Sequence, residues 1–506
     1  MRLLLLGLLL LGFNAPAQAG WREAKTPHFL IYSSGAEKDL RKFAINIERF
    51  DRVLRERFGI PTEQTPQRLT IFLMSSSDEV QRAMGGGKDA RNVAGFYAGL
   101  VSGSLAVVDR RESDEKYALD GNVILFHEYA HHFMFNYFSA AYPAWYIEGF
   151  AEFFATTDFT PEGNAKIGLP AYYRAYGLID GPAFPVEKLL TANPDDLRSD
   201  EAQDAFYGRA WLLVHFLDRA VGREGQLAQY LKGINAGKTS LEAATTAFGD
   251  LKQLDKEIAK YLRGDLTYAT RRQPTPAPTE LSFVSLSPAA SESVLIRLRS
   301  MRGVDLTEAK ALVPKFKAIT DKYPDDGEAW YWLAQGYADA GQDAEAEATV
   351  ANALRLKPGL SRALLLRGEI AVRKVMADKK DDPNAWKAAR SMLVKANRAD
   401  VNDPLPLYRY YESWTQQGVA PPQAAKDGLR RVFELVPESS EVRVAFADML
   451  ANDDQYEAAI NVIAPLAFDP HNNERATAAR ELLDQYVKAK ASKANAPVAA
   501  PTASKS

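Results

Sequence analysis

The chain of 506 residues contains no cysteine and only six histidines. Without cysteine the protein cannot form disulfides, carry a lipid anchor on a cysteine, or bind metal through thiolates. Any metal must therefore be held by histidine, aspartate or glutamate. The chain also lacks a strong net charge, since 62 Lys and Arg residues nearly balance 65 Asp and Glu residues. We therefore expect no nucleic-acid partner and no general attraction to anionic lipid.

Long hydrophobic runs are scarce as well. The run from Leu3 to Phe13 is too short to span a bilayer, which takes about 20 residues. It follows Arg2 and precedes small residues that end in Ala17-Gln18-Ala19, a pattern typical of a signal peptide over residues 1–19. The sequence thus predicts an exported protein, periplasmic or secreted, with no transmembrane segment.

The length predicts more than one domain, because single domains mostly have about 100–200 residues. Residues 20–266 alternate strand and helix patterns and predict an α+β domain with a small mixed sheet. Its main predicted elements are the strands Phe29–Tyr32, Leu69–Met74, Gly95–Leu100 and Ser104–Val108 and the helix Glu37–Phe58. Residues 267–290 are rich in Pro, Thr and Ser and predict a weakly ordered linker.

A repeat period follows the predicted linker. Prolines recur at 324, 358, 404, 437 and 470, with spacings of 34, 46, 33 and 33 residues. In the clearest copy, eight residues match the signature positions of the tetratricopeptide helix pair: Trp330, Leu333, Ala334, Tyr337, Ala346, Val350, Ala353 and Pro358. Residues 291–487 thus resemble a tetratricopeptide-like, all-α solenoid.

This resemblance implies a peptide or protein partner on the concave face of the repeats, although a spacer that only packs on the first domain stays an open alternative. After the repeats, residues 488–506 are rich in Ala, Lys, Pro and Ser. This composition predicts a disordered tail.

The segment from Asn122 to Phe138 is apolar on nearly every side and predicts a buried helix that carries His127, Glu128 and His131. The two histidines are four residues apart, so both project from one face at a spacing that suits two ligands of a tetrahedral zinc ion. A buried unpaired carboxylate is costly, and a polar cavity beside a metal would compensate Glu128. The pattern therefore predicts a zinc site.

A third ligand is available on the next predicted helix, where Glu148 and Glu152 lie on one face. The combination of His-Glu-x-x-His with Trp-x-x-Glu-Gly-x-Ala-Glu over 145–152 resembles the gluzincin metallopeptidases of the peptidase MA-like group, over about Trp21 to Leu262. The resemblance implies a zincin-like catalytic domain, with His127, His131 and Glu148 as zinc ligands and Glu128 as general base. It makes Glu152 the carboxylate that orients a ligand histidine, although the two glutamates could exchange roles.

Three further residues have less specific patterns. The resemblance makes Tyr207 the candidate donor to the oxyanion, with a packing role as the alternative. His132 lies one turn beyond Glu128 and could orient a carboxylate, or it could be an ordinary, partly exposed histidine. His215 lies among apolar residues and is predicted to be a core histidine. The resemblance also implies that the hairpin Gly95–Val108 pairs with an extended substrate.

Three functions are compatible with these features. The first is an exported zinc-dependent peptidase in which a zinc-activated water attacks the peptide bond. The second is a pseudoprotease or scaffold with an idle zinc site, in which the repeats bind a partner. The third is a metal-dependent hydrolase that acts on cell-wall peptides, because fold and motif do not determine the substrate.

Overall fold

The structure is a computed structural model. It describes residues 20–63, 65, 67–85, 95–111, 117–138, 140–274, 280–378, 382–469 and 473–494. The predicted signal peptide and residues 495–506 of the predicted tail lie outside the described residues. Within the described ranges, no helix combines the length and the apolarity needed to cross a bilayer.

The first half of the chain contains two small sheets. The described residues form nine strands: β1 (Arg22–Lys25), β2 (Phe29–Ser33), β3 (Leu69–Met74), β4 (Gly95–Ala98), β5 (Leu105–Asp109), β6 (Asp158–Phe159), β7 (Asn164–Ile167), β8 (Ala269–Arg272) and β9 (Ser282–Ser285). Six of them form a mixed sheet in the order β4-β5-β3-β2-β1-β9, and β6, β7 and β8 form a second sheet. In the larger sheet, β3 is parallel to β2 and to β5, whereas β4 is antiparallel to β5.

Nine α-helices belong to this half in the described residues. They are α1 (Glu37–Phe58), α2 (Ser77–Ala83), α3 (Gly121–Tyr137), α4 (Ala144–Ala155), α5 (Val186–Thr191), α6 (Asp200–Arg219), α7 (Gln226–Asn235), α8 (Ser240–Phe248) and α9 (Leu251–Leu262). The predicted helix Glu37–Phe58 and strand Leu69–Met74 have the observed bounds. Helix α1 ends there because Gly59 adopts a φ of 66°, a left-handed conformation that glycine adopts at no steric cost.

The prediction of a weakly ordered linker over 267–290 is wrong for two of its segments. Strand β8 pairs with β7, and β9 pairs with β1. Pairing at a sheet edge uses only backbone N–H and C=O groups, so a segment of mostly polar, exposed side chains joins a sheet without a hydrophobic signal. The sequence does not predict strand β1 either, because this segment also lacks a hydrophobic pattern.

The second half is all-helical, as predicted. Its helices are α10 (Pro288–Met301), α11 (Leu306–Lys322), α12 (Gly327–Asp339), α13 (Asp343–Leu356), α14 (Ser361–Ala377), α15 (Pro383–Ala399), α16 (Pro404–Gln416), α17 (Gln423–Leu435), α18 (Ser440–Asn452), α19 (Tyr456–Ala467) and α20 (Asn473–Ala494). They pack as successive pairs, such as α12 with α13 and α14 with α15. In the clearest copy, Leu333, Ala334, Ala346, Val350 and Ala353 are buried. This region is a tetratricopeptide-like helical repeat.

The predicted start of the disordered tail at Lys488 is wrong, because α20 continues to Ala494. Alanine and lysine, which give this segment its low-complexity composition, are also strong helix formers. The helix is held by buried residues before Lys488, including Ala479 and Tyr486. A polar composition therefore did not exclude a helix here.

The core of the first half surrounds α3. The ring of Phe126 on α3 stacks on Phe50 of α1, with the ring centroids 4.1 Å apart. On another side, α4 contacts both α3 and α6. The contact between α4 and α6 depends on Gly149, because a Cβ atom there would lie 2.6 Å from the carbonyl oxygen of Ala210 and 2.8 Å from a methyl group of Val214. Glycine therefore permits the close approach of these two helices.

We expect Gly149→Ala to lower the free energy of unfolding by about 1–3 kcal/mol, because the added methyl group would push α4 away from α6. Chemical denaturation of the full chain would measure this loss. Gly359→Ala is the matched control, since nothing lies within 4 Å of a Cβ atom at that position. Equal stability of the two variants would contradict the packing role of Gly149.

Candidate metal centre

The two motif histidines lie on α3, whose first turn is fixed by Asp120. The Asp120 carboxylate accepts hydrogen bonds from the backbone N–H groups of Asn122 and Val123, as a helix N-cap does. One turn separates His127 from His131, and their Nε2 atoms are 3.0 Å apart. The helix thus directs two imidazole nitrogens to one point.

Glu148 on α4 faces the same point. Its Oε2 atom lies 3.4 Å from His127 Nε2 and 3.4 Å from His131 Nε2, and the residue is 0% exposed. Zinc binds histidine nitrogen and carboxylate oxygen at about 2.0–2.2 Å in a tetrahedron, which requires ligand atoms about 3.3 Å apart. The observed distances of 3.0, 3.4 and 3.4 Å therefore fit three ligands of one zinc ion.

The electrostatics of the pocket favour a positive charge. Burial alone would lower the pKa of His127, but the carboxylates of Glu148 and Glu152 outweigh it and raise the pKa to about 10. Two carboxylates thus act on one imidazole in a site that is almost closed to water. A cation bound between the ligands would satisfy the same negative charge.

Glu152 lies behind His127 rather than beside the ligand atoms. Its Oε1 atom is 3.3 Å from His127 Nδ1, so it can accept the imidazole N–H and orient Nε2 towards Glu148. Burial alone would raise the pKa of Glu152, but the charge of Arg174 and the bond with His127 lower it to about 2. This geometry distinguishes the two glutamates and favours Glu148 as the ligand.

No sequence pattern indicates the residues that hold Glu152. Arg174 Nη2 donates to Glu152 Oε1 at 2.7 Å, and the Tyr173 hydroxyl donates to Oε2 at 2.9 Å. Arg174 Nη1 also donates to Asp204 Oδ1 at 3.1 Å. Tyr173 and Arg174 lie in a single turn of 3-10 helix, so neither a helical period nor a motif spacing relates them to Glu152. A buried carboxylate needs a partner, which indicates that such residues exist but does not say which residues they are.

Tyr207 lies beside this pocket, and Glu128 is half-buried on α3 between the two motif histidines. The charge of Glu128 contributes to raising the pKa of Tyr97 on one side and of Tyr207 on the other. The centroids of the Tyr207 and His127 rings are 6.3 Å apart. The central carbon of the Arg174 guanidinium lies 4.8 Å from the Tyr207 ring centroid. Burial, with Glu148 next, raises the pKa of Tyr207, so its hydroxyl keeps its proton at neutral pH.

For His132 the sequence left two alternatives open, and the observed contacts favour an ordinary, partly exposed histidine over one that orients a carboxylate. His132 Nδ1 lies 2.8 Å from the Tyr97 hydroxyl, and Nε2 lies 3.0 Å from Asn136 Nδ2. His132 lies one turn beyond Glu128 on the same side of α3, and its two ring nitrogens contact Tyr97 and Asn136. Tyr97 and Phe96 of β4 are likewise packed inside the protein.

Two other histidines form closed hydrogen-bond networks. His215 is buried, with Nε2 3.0 Å from the Gly168 carbonyl oxygen and Nδ1 2.9 Å from the Tyr261 hydroxyl, as expected of a core histidine. His28, Glu48 and Asp51 also lie close enough to bind a metal. However, Asp51 already accepts hydrogen bonds from Arg55 Nε at 2.7 Å and from the Tyr129 hydroxyl at 2.6 Å. This second cluster therefore joins α1 to α3 without an added cation.

No protein-family model matches the sequence, and comparison with curated proteins finds no match. Similar solved structures include a thermophilic TPR (tetratricopeptide repeat) protein from Thermus thermophilus, with 18% identity, 35% of this chain and 92% of that chain covered, and a TM-score of 0.30. YrrB, a TPR protein with an unusual peptide-binding site, has 22% identity, the same two coverages and a TM-score of 0.27. MamA from Desulfovibrio magneticus has 17% identity, 40% and 98% coverage, and a TM-score of 0.26.

Two of these three neighbours are TPR proteins, and all three TM-scores are low. The description of the repeat therefore rests on the helices of this chain. The neighbours say nothing about the residues around His127.

We expect the buried His215 to make stability depend on pH. Burial lowers its pKa to about 4 in the folded protein, against about 6.5 when unfolded. The unfolded chain therefore binds a proton first as the pH falls, and about 3 kcal/mol of stability is lost between pH 6.5 and 4. Urea denaturation at several pH values, with a chelator present to remove metal, would measure this loss. His215→Gln should lose correspondingly less over this window, and an unchanged slope would contradict the assignment.

Proposed function

We propose that the protein is an exported zinc-dependent peptidase of the gluzincin type. The observation that carries this proposal is the convergence of His127 Nε2, His131 Nε2 and Glu148 Oε2 at 3.0–3.4 Å from one another. Three further groups support it: Glu152 behind a ligand histidine, Glu128 next to His127 on α3, and Tyr207 across from His127. In this proposal each residue takes the role that the sequence resemblance implies.

Zinc held by these three residues would supply a Lewis acid that polarises a carbonyl and makes water acidic near neutral pH. Glu128 is the candidate general base, which takes a proton from the attacking water and passes it to the leaving amine. Its half-buried position lets it contact both water and substrate. Glu152 and Arg174 keep the His127 imidazole in one orientation throughout.

Tyr207 is the candidate donor to the oxyanion. Because its pKa is raised by burial and by the charge of Glu148, the hydroxyl remains a hydrogen-bond donor at neutral pH. A preorganised donor of this kind stabilises the negative charge that develops on the carbonyl oxygen. The neighbouring Arg174 guanidinium adds positive potential on the same side.

The expected substrate is an extended peptide. Strand β4 is the last strand at one end of the larger sheet and contacts α3. Pairing with an added strand requires only backbone groups, so an extended chain could bind along β4 beside the metal centre. This position favours a peptide bond over a small amide.

A protein-interaction scaffold is the second candidate function. It is supported by the tetratricopeptide-like helix pairs, a class of repeat that commonly binds peptides or proteins. In this alternative the metal centre is structural or idle. Hydrolysis of cell-wall peptides is a variant of the first function and differs from it only in the substrate.

We expect the wild-type protein to bind about one zinc ion per chain and to cleave unfolded casein and a mixed peptide library. Glu128→Gln should bind zinc equally well but lower kcat by about 10²–10⁴-fold, because the general base is lost. Metal analysis and product mass spectrometry measure the two results separately. Glu347→Gln, an exposed change on α13, is the matched control and should leave both results unchanged.

Three outcomes would contradict the proposal in different ways. A folded protein that retains no zinc removes the metal centre. Bound zinc without turnover of protein, peptides or wall fragments supports the scaffold, and turnover of wall fragments alone supports the cell-wall hydrolase.

Tyr207→Phe should lower kcat by about 10²–10³-fold and leave zinc binding unchanged, because only the donor to the oxyanion is removed. Steady-state kinetics on a peptide found in the library screen would measure the effect. Tyr176→Phe is the matched control, since Tyr176 is 52% exposed. If the two variants had equal kcat, Tyr207 would have only a packing role.

A further inference from the structure

The tip of the β4–β5 hairpin is inserted into the repeat domain. Val101 is 6% exposed and belongs to a hydrophobic cluster whose other buried members, such as Tyr408 and Leu429, are repeat residues. The neighbouring Ser102 carbonyl accepts a hydrogen bond from Arg362 Nη2 at 3.1 Å. The hairpin beside the candidate metal centre is therefore anchored in the repeats.

The repeat domain also contacts the C-terminal end of the motif helix α3. Arg443 on α18 is 2% exposed, and its Nη2 atom donates to the Phe135 carbonyl oxygen at 2.6 Å. Phe135 lies one turn after His131 and is among the last four residues of α3, whose carbonyls have no partner within the helix. A cationic donor at this end of a helix also opposes the negative end of its dipole. Arg443 thus caps the helix that holds both histidines.

A chain of hydrogen bonds makes a second connection. Ser104 Oγ donates to Glu438 Oε1, in the loop between α17 and α18, at 2.5 Å. The Tyr97 hydroxyl donates to Ser104 Oγ at 3.0 Å, and His132 Nδ1 lies 2.8 Å from the Tyr97 hydroxyl. The chain runs from the repeat loop, through Ser104 just before β5 and Tyr97 of β4, to the residue next to His131.

We propose that Arg443 and Glu438 of the repeat domain are positioning residues for the candidate metal centre, which hold the end of α3 and the β4–β5 hairpin in place. The junction between α17 and α18, two neighbouring helices of different repeat pairs, is then a structural part of the cleft. Its effect on catalysis rests on the proposed peptidase function, whereas its effect on α3 and the hairpin does not.

The decisive residues are polar, buried and far apart in the sequence. An arginine buried between two domains is costly unless its donors are satisfied, and Arg443 satisfies two of them with the carbonyl oxygens of Phe135 and Val462. Glu438 lies close enough that its charge favours the ionised form of Arg443. Removal of the arginine would leave the end of α3 without its donor and Glu438 without this nearby positive charge.

The test uses the full chain with Arg443→Met, which keeps the length of the side chain and removes the donors, and with Glu438→Gln. Arg390→Met is the matched control. Arg390 is equally enclosed, but its donors bind Ser413 and Gln417 within the repeats. The measurements are hydrogen exchange over residues 95–105 and 131–138, zinc affinity by competition with a chelator, and kcat and KM separately.

We expect Arg443→Met to speed exchange in both segments about tenfold or more, since a hydrogen bond to a charged group is lost, and to weaken zinc binding about tenfold. Glu438→Gln should have a smaller effect, mainly on 95–105. Arg390→Met should lower Tm and leave exchange in both segments and zinc affinity at wild-type values. If Arg443→Met fails to fold, Arg443→Lys replaces it, and its expected effect on exchange and zinc affinity is in the same direction.

Wild-type exchange and zinc affinity in the folded Arg443 variant would overturn the proposal. The same conclusion follows if Arg390→Met changes both quantities equally, because the effect would then be one of general stability. A protein that binds no zinc in any variant refutes the proposed function instead, and the exchange data alone would then decide whether the repeats hold α3 and the hairpin.

Discussion

A carboxylate that is fully buried in an apolar core needs compensating positive charge nearby. The rest of this structure depends on how the negative charge of Glu148 is compensated. The side chain lies where α3 and α4 cross, with two imidazoles at 3.4 Å. Helix α4 also approaches α6 closely, and Gly149 permits this approach. The packing of three helices and the chemistry of one pocket are therefore a single arrangement.

The second glutamate of the same helix face has a different environment, and this difference defines the site. Glu152 is compensated by Arg174 and Tyr173, so it stays ionised and available to the Nδ1 atom of His127. Glu148 has the two histidine Nε2 atoms instead. Two carboxylates one turn apart thus have different environments, one facing the two Nε2 atoms and one facing Nδ1 of His127.

The two halves of the chain are joined at this site. The first helices of successive repeat pairs, such as α12 and α14, contact one another. Together with strands β1, β2 and β3 they line a cavity of about 740 Å³. The hairpin tip occupies part of the inner surface on which a tetratricopeptide-like repeat would be expected to bind a partner. Arg443 and Glu438 connect the repeats to α3 and to the hairpin, the two elements beside the candidate metal centre.

The sequence by itself determined the features that depend on local pattern. The spacing of His127 and His131 fixes their common face, the proline period fixes the helix pairs, and α1 and β3 have the predicted bounds. Only the tertiary structure decided the distinction between Glu148 and Glu152, the role of Arg174, the pairing of β8 and β9, and the contact of Arg443 with Phe135. These depend on backbone pairing and on buried contacts between distant residues, for which no periodicity exists in the chain.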